Sequence, residues 1–122
     1  MKLCCEVMVS DILPAVRALV SKELTDGYNL SQSEISKKLG VTQPAVSQYK
    51  KELRGQRVRI LESNKEVMSE IKNFAKAIGT SELQGCQSCL MICKLCEKVR
   101  KEKVMAKINR DVAEEFLVCN LK

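Results

Sequence analysis

Apolar residues recur along this chain at the spacing of helices. Between residues 11 and 25 they recur every three or four positions, which predicts a helix that begins near Asp11 and ends before Gly27. Pro14 falls in its first turn, where a proline is tolerated. A later helix is predicted from 63 to about 78, with a break at 79–81, because apolar side chains recur at Val67, Ile71, Phe74 and Ile78.

Two shorter helices are predicted between residues 31 and 54 from the signals at their ends. Ser31 and Glu34 have the spacing of a capping box, which opens the first of them, and Gly40 supplies its stop. Thr42 then suits the N-cap of the next helix, with Pro44 in its first turn.

The composition favours helices over strands. The apolar content comes mostly from Ile, Leu, Val and Ala, and the 122 residues include no Trp, two Tyr and two Phe. We therefore expect an all-α protein with five or six helices, the last from about 103 to 121. We divide it into an N-terminal region at 1–58 and a helical C-terminal region at 59–122, which meet at a joint near 55–59.

The two helices around Gly40 meet the requirements of a helix-turn-helix. Its tight turn needs a residue that tolerates positive φ, which Gly40 provides, and a small side chain where the helices touch, which Ser36 provides. The alternative is an ordinary helical hairpin with the same end signals. Apolar anchors are present on both helices, at Ile35, Leu39, Val41, Val46 and Tyr49.

A helix-turn-helix would place the helix from Thr42 to about Leu53 in the major groove of double-stranded DNA. Glutamine suits adenine, whereas serine and lysine serve bases or phosphates, and Thr42 and Lys50 suit the DNA backbone. The formal charge of +6 is concentrated in residues 50–59, where basic side chains could reach phosphates. The candidate DNA contacts are Thr42, Gln43, Pro44, Ser47, Gln48, Lys50, Lys51, Arg54 and Arg57.

One module of this kind buries little DNA surface, so we expect a homodimer on two half-sites, with the apolar helices after residue 60 as its interface. The chain shows neither a secretory signal nor an apolar run long enough to cross a bilayer, so we expect a cytoplasmic protein without a membrane partner. It has no phosphate-binding glycine loop and no Ser/His/Asp set. We therefore expect neither an enzyme nor a small-molecule substrate.

Five stretches in the first half of the chain are CE at 5–6, DILPAVR at 11–17, LSQ at 30–32, VTQPAVSQY at 41–49 and RG at 54–55. In these stretches the chain resembles archaeal predicted transcriptional regulators, which pair a repressor-type helix-turn-helix with a short cysteine-bearing C-terminal region. The resemblance implies a DNA-binding regulator whose cysteines hold an iron–sulfur cluster used for sensing. Where that family has a short Ser/Gly turn, this chain has KKEL at 50–53, which predicts a longer second helix.

The seven cysteines are difficult to explain as disulfides in a reducing compartment. The chain has no histidine, so only thiolate and oxygen ligands are available to a metal. Four cysteines close together suit an iron–sulfur cluster, for which their compact spacing favours [4Fe–4S], or a structural zinc ion. Thiol redox chemistry, metal transfer by Cys-x2-Cys pairs, and simple burial of small side chains are further alternatives. The four are Cys86, Cys89, Cys93 and Cys96.

Geometry limits the ligand set. On an unbroken helix Cys86 and Cys96 would be about 15 Å apart, whereas thiolates on one zinc ion are about 4 Å apart. A single site made from all four cysteines therefore requires a break between Cys86 and Cys93. Otherwise two neighbouring cysteines need further ligands from Cys4 or Cys119, from Cys5 as the resemblance implies, or from the other subunit.

Overall fold

All the regular structure that the computed structural model describes is helical. The description covers residues 6, 8–80 and 85–101, with the helix backbone alone at 85–89. No strand occurs in these ranges, which confirms the all-α prediction. The helix predicted at 103–121 lies outside them. The described elements are a π-helical turn at Met8–Ile12 and six α-helices: α1 Leu13–Tyr28, α2 Gln32–Leu39, α3 Gln43–Glu52, α4 Gln56–Ser63, α5 Lys65–Thr80 and α6 Gly85–Lys101.

The helical segment around α1 extends beyond its predicted bounds, at the start through the π-helical turn at Met8–Ile12 and at the end through Tyr28. Pro14 has no N–H to offer the carbonyl of Ser10, and the wider π-helical turn before α1 gives its ring room. At the other end Gly27 lies inside α1, and Asn29 adopts the left-handed conformation, with φ 54°, that ends the helix. The predicted end before Gly27 is wrong, because asparagine also tolerates this conformation.

α1 is the centre of the hydrophobic core. It packs against α5, α3 and α4, and its buried side chains lie on several sides of the helix. α6 packs against α5 and buries Leu95 and Val99. On α5 the predicted stripe is buried as expected, which confirms its interpretation as a packing face. That face consists of Val67, Ile71, Phe74, Ala75 and Ile78.

The end of α5 lies at Thr80, two residues beyond the predicted end near Ile78 and within the predicted break at 79–81. Asn64 caps the start of the helix by accepting a hydrogen bond from the Val67 N–H at 3.1 Å, and the helix continues through Gly79 and Thr80. A Cβ atom at Gly79 would lie 3.1 Å from the Tyr28 ring. The glycine at this position therefore permits close approach of α1 and α5 one residue before the helix ends.

α4 spans the predicted boundary between residues 58 and 59. Its Val58 and Leu61 side chains are buried, and the helix packs against both α1 and α5. The short joint expected at 55–59 is therefore mostly helical. The division into regions 1–58 and 59–122 stays a prediction.

Candidate functional site

The turn between α2 and α3 is built by local hydrogen bonds and one glycine. The Ser31 hydroxyl accepts from the Glu34 N–H at 3.2 Å, and the Glu34 carboxylate accepts from the Ser31 N–H at 3.3 Å, which confirms the predicted capping box. Gly40 ends α2 with φ 68°. Thr42 then caps α3 by accepting from the Ala45 N–H at 3.2 Å, as the sequence predicts.

One side of the α2–α3 pair packs against the hydrophobic core. Ile35, Val46 and Tyr49 are buried, whereas Leu39 and Val41 are half-buried against the same cluster. All five predicted anchors therefore lie on the packing side of the two helices. This arrangement fixes the orientation of α3 relative to α1, against which it packs.

The other side of α3 is polar and open to solvent. The buried Val46 and Tyr49 are three residues apart on the helix, so the residues between them point away from the core. Every residue predicted from the sequence to contact DNA is exposed. These are Thr42, Gln43, Pro44, Ser47, Gln48, Lys50 and Lys51 at or on α3, Arg54 in the following turn, and Arg57 on α4.

Two of these exposed residues have partners within the chain that the sequence did not suggest. The Ser47 hydroxyl donates to the Gln32 side-chain oxygen on α2 at 3.3 Å. The guanidinium of Arg57 lies 3.6 Å from the Asp11 carboxylate, and its side chain is 46% exposed. The Asp11 side chain is 17% exposed, so the pair is partly buried and a phosphate contact of Arg57 would compete with it.

A further contact joins the α2–α3 pair to the helix that precedes the cysteine segment. The Lys38 ammonium, on the last turn of α2, donates to the carbonyl of Ile78 near the end of α5 at 3.2 Å. Forty residues separate these two positions, so no local pattern in the sequence could reveal the contact. It is also favourable because the carbonyls at a helix C-terminus carry partial negative charge.

The four clustered cysteines all belong to one continuous helix. α6 runs unbroken from Gly85 to Lys101, so the break that a single four-cysteine site requires is not found. Cys93 is exposed and Cys96 is half-buried. Burial as a small hydrophobe therefore does not account for Cys93. The side chains of Cys86 and Cys89, and the whole of Cys4, Cys5 and Cys119, lie outside the described part of the chain.

The described residues include no group of three or more Cys, Asp or Glu side chains placed to hold a metal ion. Among the described helices none is long and apolar enough to cross a membrane. No protein family model, curated protein or solved structure matches the chain.

Proposed function

We propose that this protein is a transcriptional regulator that binds double-stranded DNA sequence-specifically as a homodimer, and that a centre held by the α6 cysteines modulates its affinity for DNA. The observation that carries the proposal is the two-sided character of α3. Its apolar side is buried on α1, and its opposite side presents only polar, basic and proline side chains to solvent. A rigidly held helix with such a face is what groove recognition needs.

In this proposal α2 and α3 form a helix-turn-helix, and α3 enters the major groove. Gln43 and Gln48 can pair with the edge of adenine, and Ser47 and Lys51 can each serve either a base or a phosphate. The other polar and basic candidates hold the module on the DNA backbone rather than read its sequence. They are Thr42, Lys50, Arg54 and Arg57, while Pro44 lies in the first turn of α3.

The charge distribution supports the same orientation. Lys50 and Lys51 lie in the last turn of α3, and Arg54 follows directly, so a positively charged surface continues from the proposed reading helix. Each phosphate that such residues neutralise releases a counterion, and binding then weakens as salt is added. We expect DNA affinity to fall steeply with ionic strength.

The donor set on α6 suits soft, thiolate-binding centres. Four cysteines and no histidine fit an iron–sulfur cluster, with [4Fe–4S] preferred on spacing, and they fit zinc as the alternative. When bound, a cluster would supply sensitivity to oxidants or to iron supply. In the protein itself, α6 packs against α5, and Lys38 on α2 donates a hydrogen bond to α5. A structural change at α6 could therefore reach the proposed DNA-reading helices through α5.

The function is tested by selecting DNA fragments from a random pool and measuring affinity for selected and scrambled fragments by fluorescence anisotropy. Gln48→Ala should reduce the ratio of the two affinities, because it removes a base contact. Arg57→Ala should weaken both fragments by about the same factor, because phosphates carry no sequence. Lys72→Ala, on the exposed side of α5, removes the same charge elsewhere and should change neither.

Failure to select any sequence would contradict the proposed function, and equal losses for Gln48→Ala and Arg57→Ala would contradict the assignment of base and phosphate contacts. The nature of the centre is tested separately on protein purified without oxygen. Equal amounts of bound iron and sulfide, together with broad visible absorption, would identify an iron–sulfur cluster. A colourless protein with stoichiometric zinc would instead identify a structural zinc site.

A further inference from the structure

Within residues 90–101, whose side chains the structure describes, helix α6 packs against α5 on one side and exposes side chains on the other. Leu95 and Val99 are buried, and an ion pair of 3.2 Å between Lys98 and Glu66 also fixes α6 on α5. By contrast, Leu90 is 66% exposed, one of two large apolar side chains so exposed among the described residues, and Cys93 is exposed as well. These two residues are three positions apart, so they adjoin on the helix surface.

The cysteines of α6 form two Cys-x2-Cys pairs, one at residues 86 and 89 and the other at 93 and 96. Equivalent positions of the two pairs are seven residues apart, so on a continuous helix they lie two turns, or about 10.5 Å, from each other along one side. Thiolates on one zinc ion are only about 4 Å apart. One copy of α6 therefore offers each ion a single pair, which is half of a four-thiolate site.

The order of the cysteines is symmetric about Met91. Cys89 and Cys93 are each two residues from it, and Cys86 and Cys96 are each five residues from it. A second α6 that runs antiparallel, with its own residue 91 opposite the first, therefore brings the partner's Cys93 level with Cys89 and the partner's Cys96 level with Cys86. Each pair then faces the complementary pair of the other copy.

We propose that two copies of this protein associate through antiparallel α6 helices and that each completes the other's thiolate sites, so that the dimer holds two equivalent four-cysteine centres. This inference rests on the thiolate site of the proposed function and assigns its missing ligands to a second copy. Twofold symmetry makes the interface self-complementary, and it requires no other residue to complete the sites. The exposed Leu90 side chain lies beside this seam and is covered when the helices pair.

The spacing of packed helices permits the arrangement. Helix axes pack about 8–10 Å apart, and Cα atoms lie about 2.3 Å from the axis. Facing cysteines are then close enough for their thiolates to converge on one ion between the helices. Because the ligands come from both chains, metal binding and association become a single linked equilibrium.

A complementation experiment tests the pairing, with Zn²⁺ as the probe and a reductant present to exclude disulfides. The C86S/C89S and C93S/C96S variants each keep one cysteine pair, and circular dichroism checks their folding. Bound zinc is measured by elemental analysis and mass by light scattering. We expect zinc to convert the wild-type protein to a dimer with one zinc per chain, while each variant alone binds at least tenfold less tightly.

The equimolar mixture of the two variants should recover dimers with one zinc per pair of chains, because only one of the two antiparallel sites is then complete. A parallel arrangement predicts the reverse, since each variant would then dimerise alone and mixing would add nothing. A monomeric zinc-bound wild type, or no recovery in the mixture, would overturn the proposal. So would loss of zinc in the C4S/C5S/C119S variant, which keeps all of α6.

These measurements contain no DNA, so the two proposals can fail separately. If zinc leaves the mass unchanged and the protein still selects a DNA sequence, the antiparallel pairing is wrong and sequence-specific DNA binding stands. If zinc joins two copies in the predicted way and no DNA is selected, the pairing is correct and the proposed function is wrong.

Discussion

At the scale of single residues, two glycines of this chain have opposite requirements. Gly40 has φ 68°, whereas Gly27 lies inside α1, and a Cβ atom at either position would meet nothing within 4 Å. The difference between them is therefore one of backbone conformation alone. A left-handed residue other than glycine costs about 1–2 kcal/mol, whereas glycine inside a helix costs about 0.5–1 kcal/mol relative to alanine.

We expect Gly40→Ala to lower the free energy of unfolding by about 1 kcal/mol or more, and Gly27→Ala to raise it by up to about 1 kcal/mol. Urea denaturation followed by circular dichroism measures both changes. Gly40→Asn should lose less than Gly40→Ala, because asparagine tolerates the left-handed conformation. Equal effects of alanine at the two positions would contradict this account.

At this scale, a structural feature could be predicted from the sequence when the residues that form it lie close together along the chain. The caps at Ser31 and Thr42 and the stop at Gly40 were predicted correctly, because each depends on residues within four positions of it. The close contact at Gly79 was not predicted, because it depends on the ring of Tyr28 on another helix. A single sequence does not show which helices approach each other closely.

At the scale of elements, one specific hydrogen bond joins the α2–α3 pair to α5. The Lys38 ammonium donates to the Ile78 carbonyl, whereas the neighbouring Lys37 is exposed and forms no hydrogen bond or ion pair with another helix in the described part of the chain. Both lysines lie in the last turn of α2, so their interaction with the helix dipole is similar. They form a matched pair for measuring the contact.

We expect Lys38→Met to lower the free energy of unfolding by about 1 kcal/mol, because it removes a charged donor from a partly buried carbonyl. Lys37→Met should change it by less than about 0.5 kcal/mol, as is usual at exposed positions. Chemical denaturation of both variants makes the comparison. A loss at position 37 as large as at position 38 would show that the charge of the helix end, and not the contact, is responsible.

The helices also differ in how well the sequence predicted their role. The packing stripe of α5 and the exposed face of α3 followed from periodicity, because each side of a helix has one environment. The cysteine segment was ambiguous, because spacings of three and four suit both a metal-binding loop and a helical stripe. Only the continuity of α6 separates these two interpretations.

At the scale of the whole molecule, α1 packs against helices from both of the regions that the sequence predicts, 1–58 and 59–122. It packs against α3 on one side and α5 on another, so the proposed DNA-reading helices and the helix that carries α6 share one core. The sequence could predict the helices of each half but not this shared core, because contacts between distant stripes leave no local pattern. A dimer formed through α6 would therefore hold its two α3 helices at a defined separation.

Because such a dimer would fix the separation of its two α3 helices, its affinity for DNA should depend on the distance between the two half-sites. Two α3 helices related by twofold symmetry should contact successive major grooves on the same side of the duplex, so half-site centres should lie about one helical turn, or 10–10.5 base pairs, apart. Inserting about 5 base pairs between the half-sites moves one of them to the opposite side of the duplex. We expect affinity then to fall to that of a fragment with a single half-site.

Fluorescence anisotropy with the selected sequence at a series of spacings measures this effect, and the single half-site fragment is the control. Affinity should be greatest at the natural spacing and should decline on insertion or deletion, because the shared core cannot stretch to follow the DNA. If affinity instead stays constant across all spacings, each copy binds its half-site independently, and the two reading helices are not rigidly coupled. If affinity does depend on spacing, the same series with metal-free protein shows whether the α6 centre sets the coupling, since its removal should flatten that dependence.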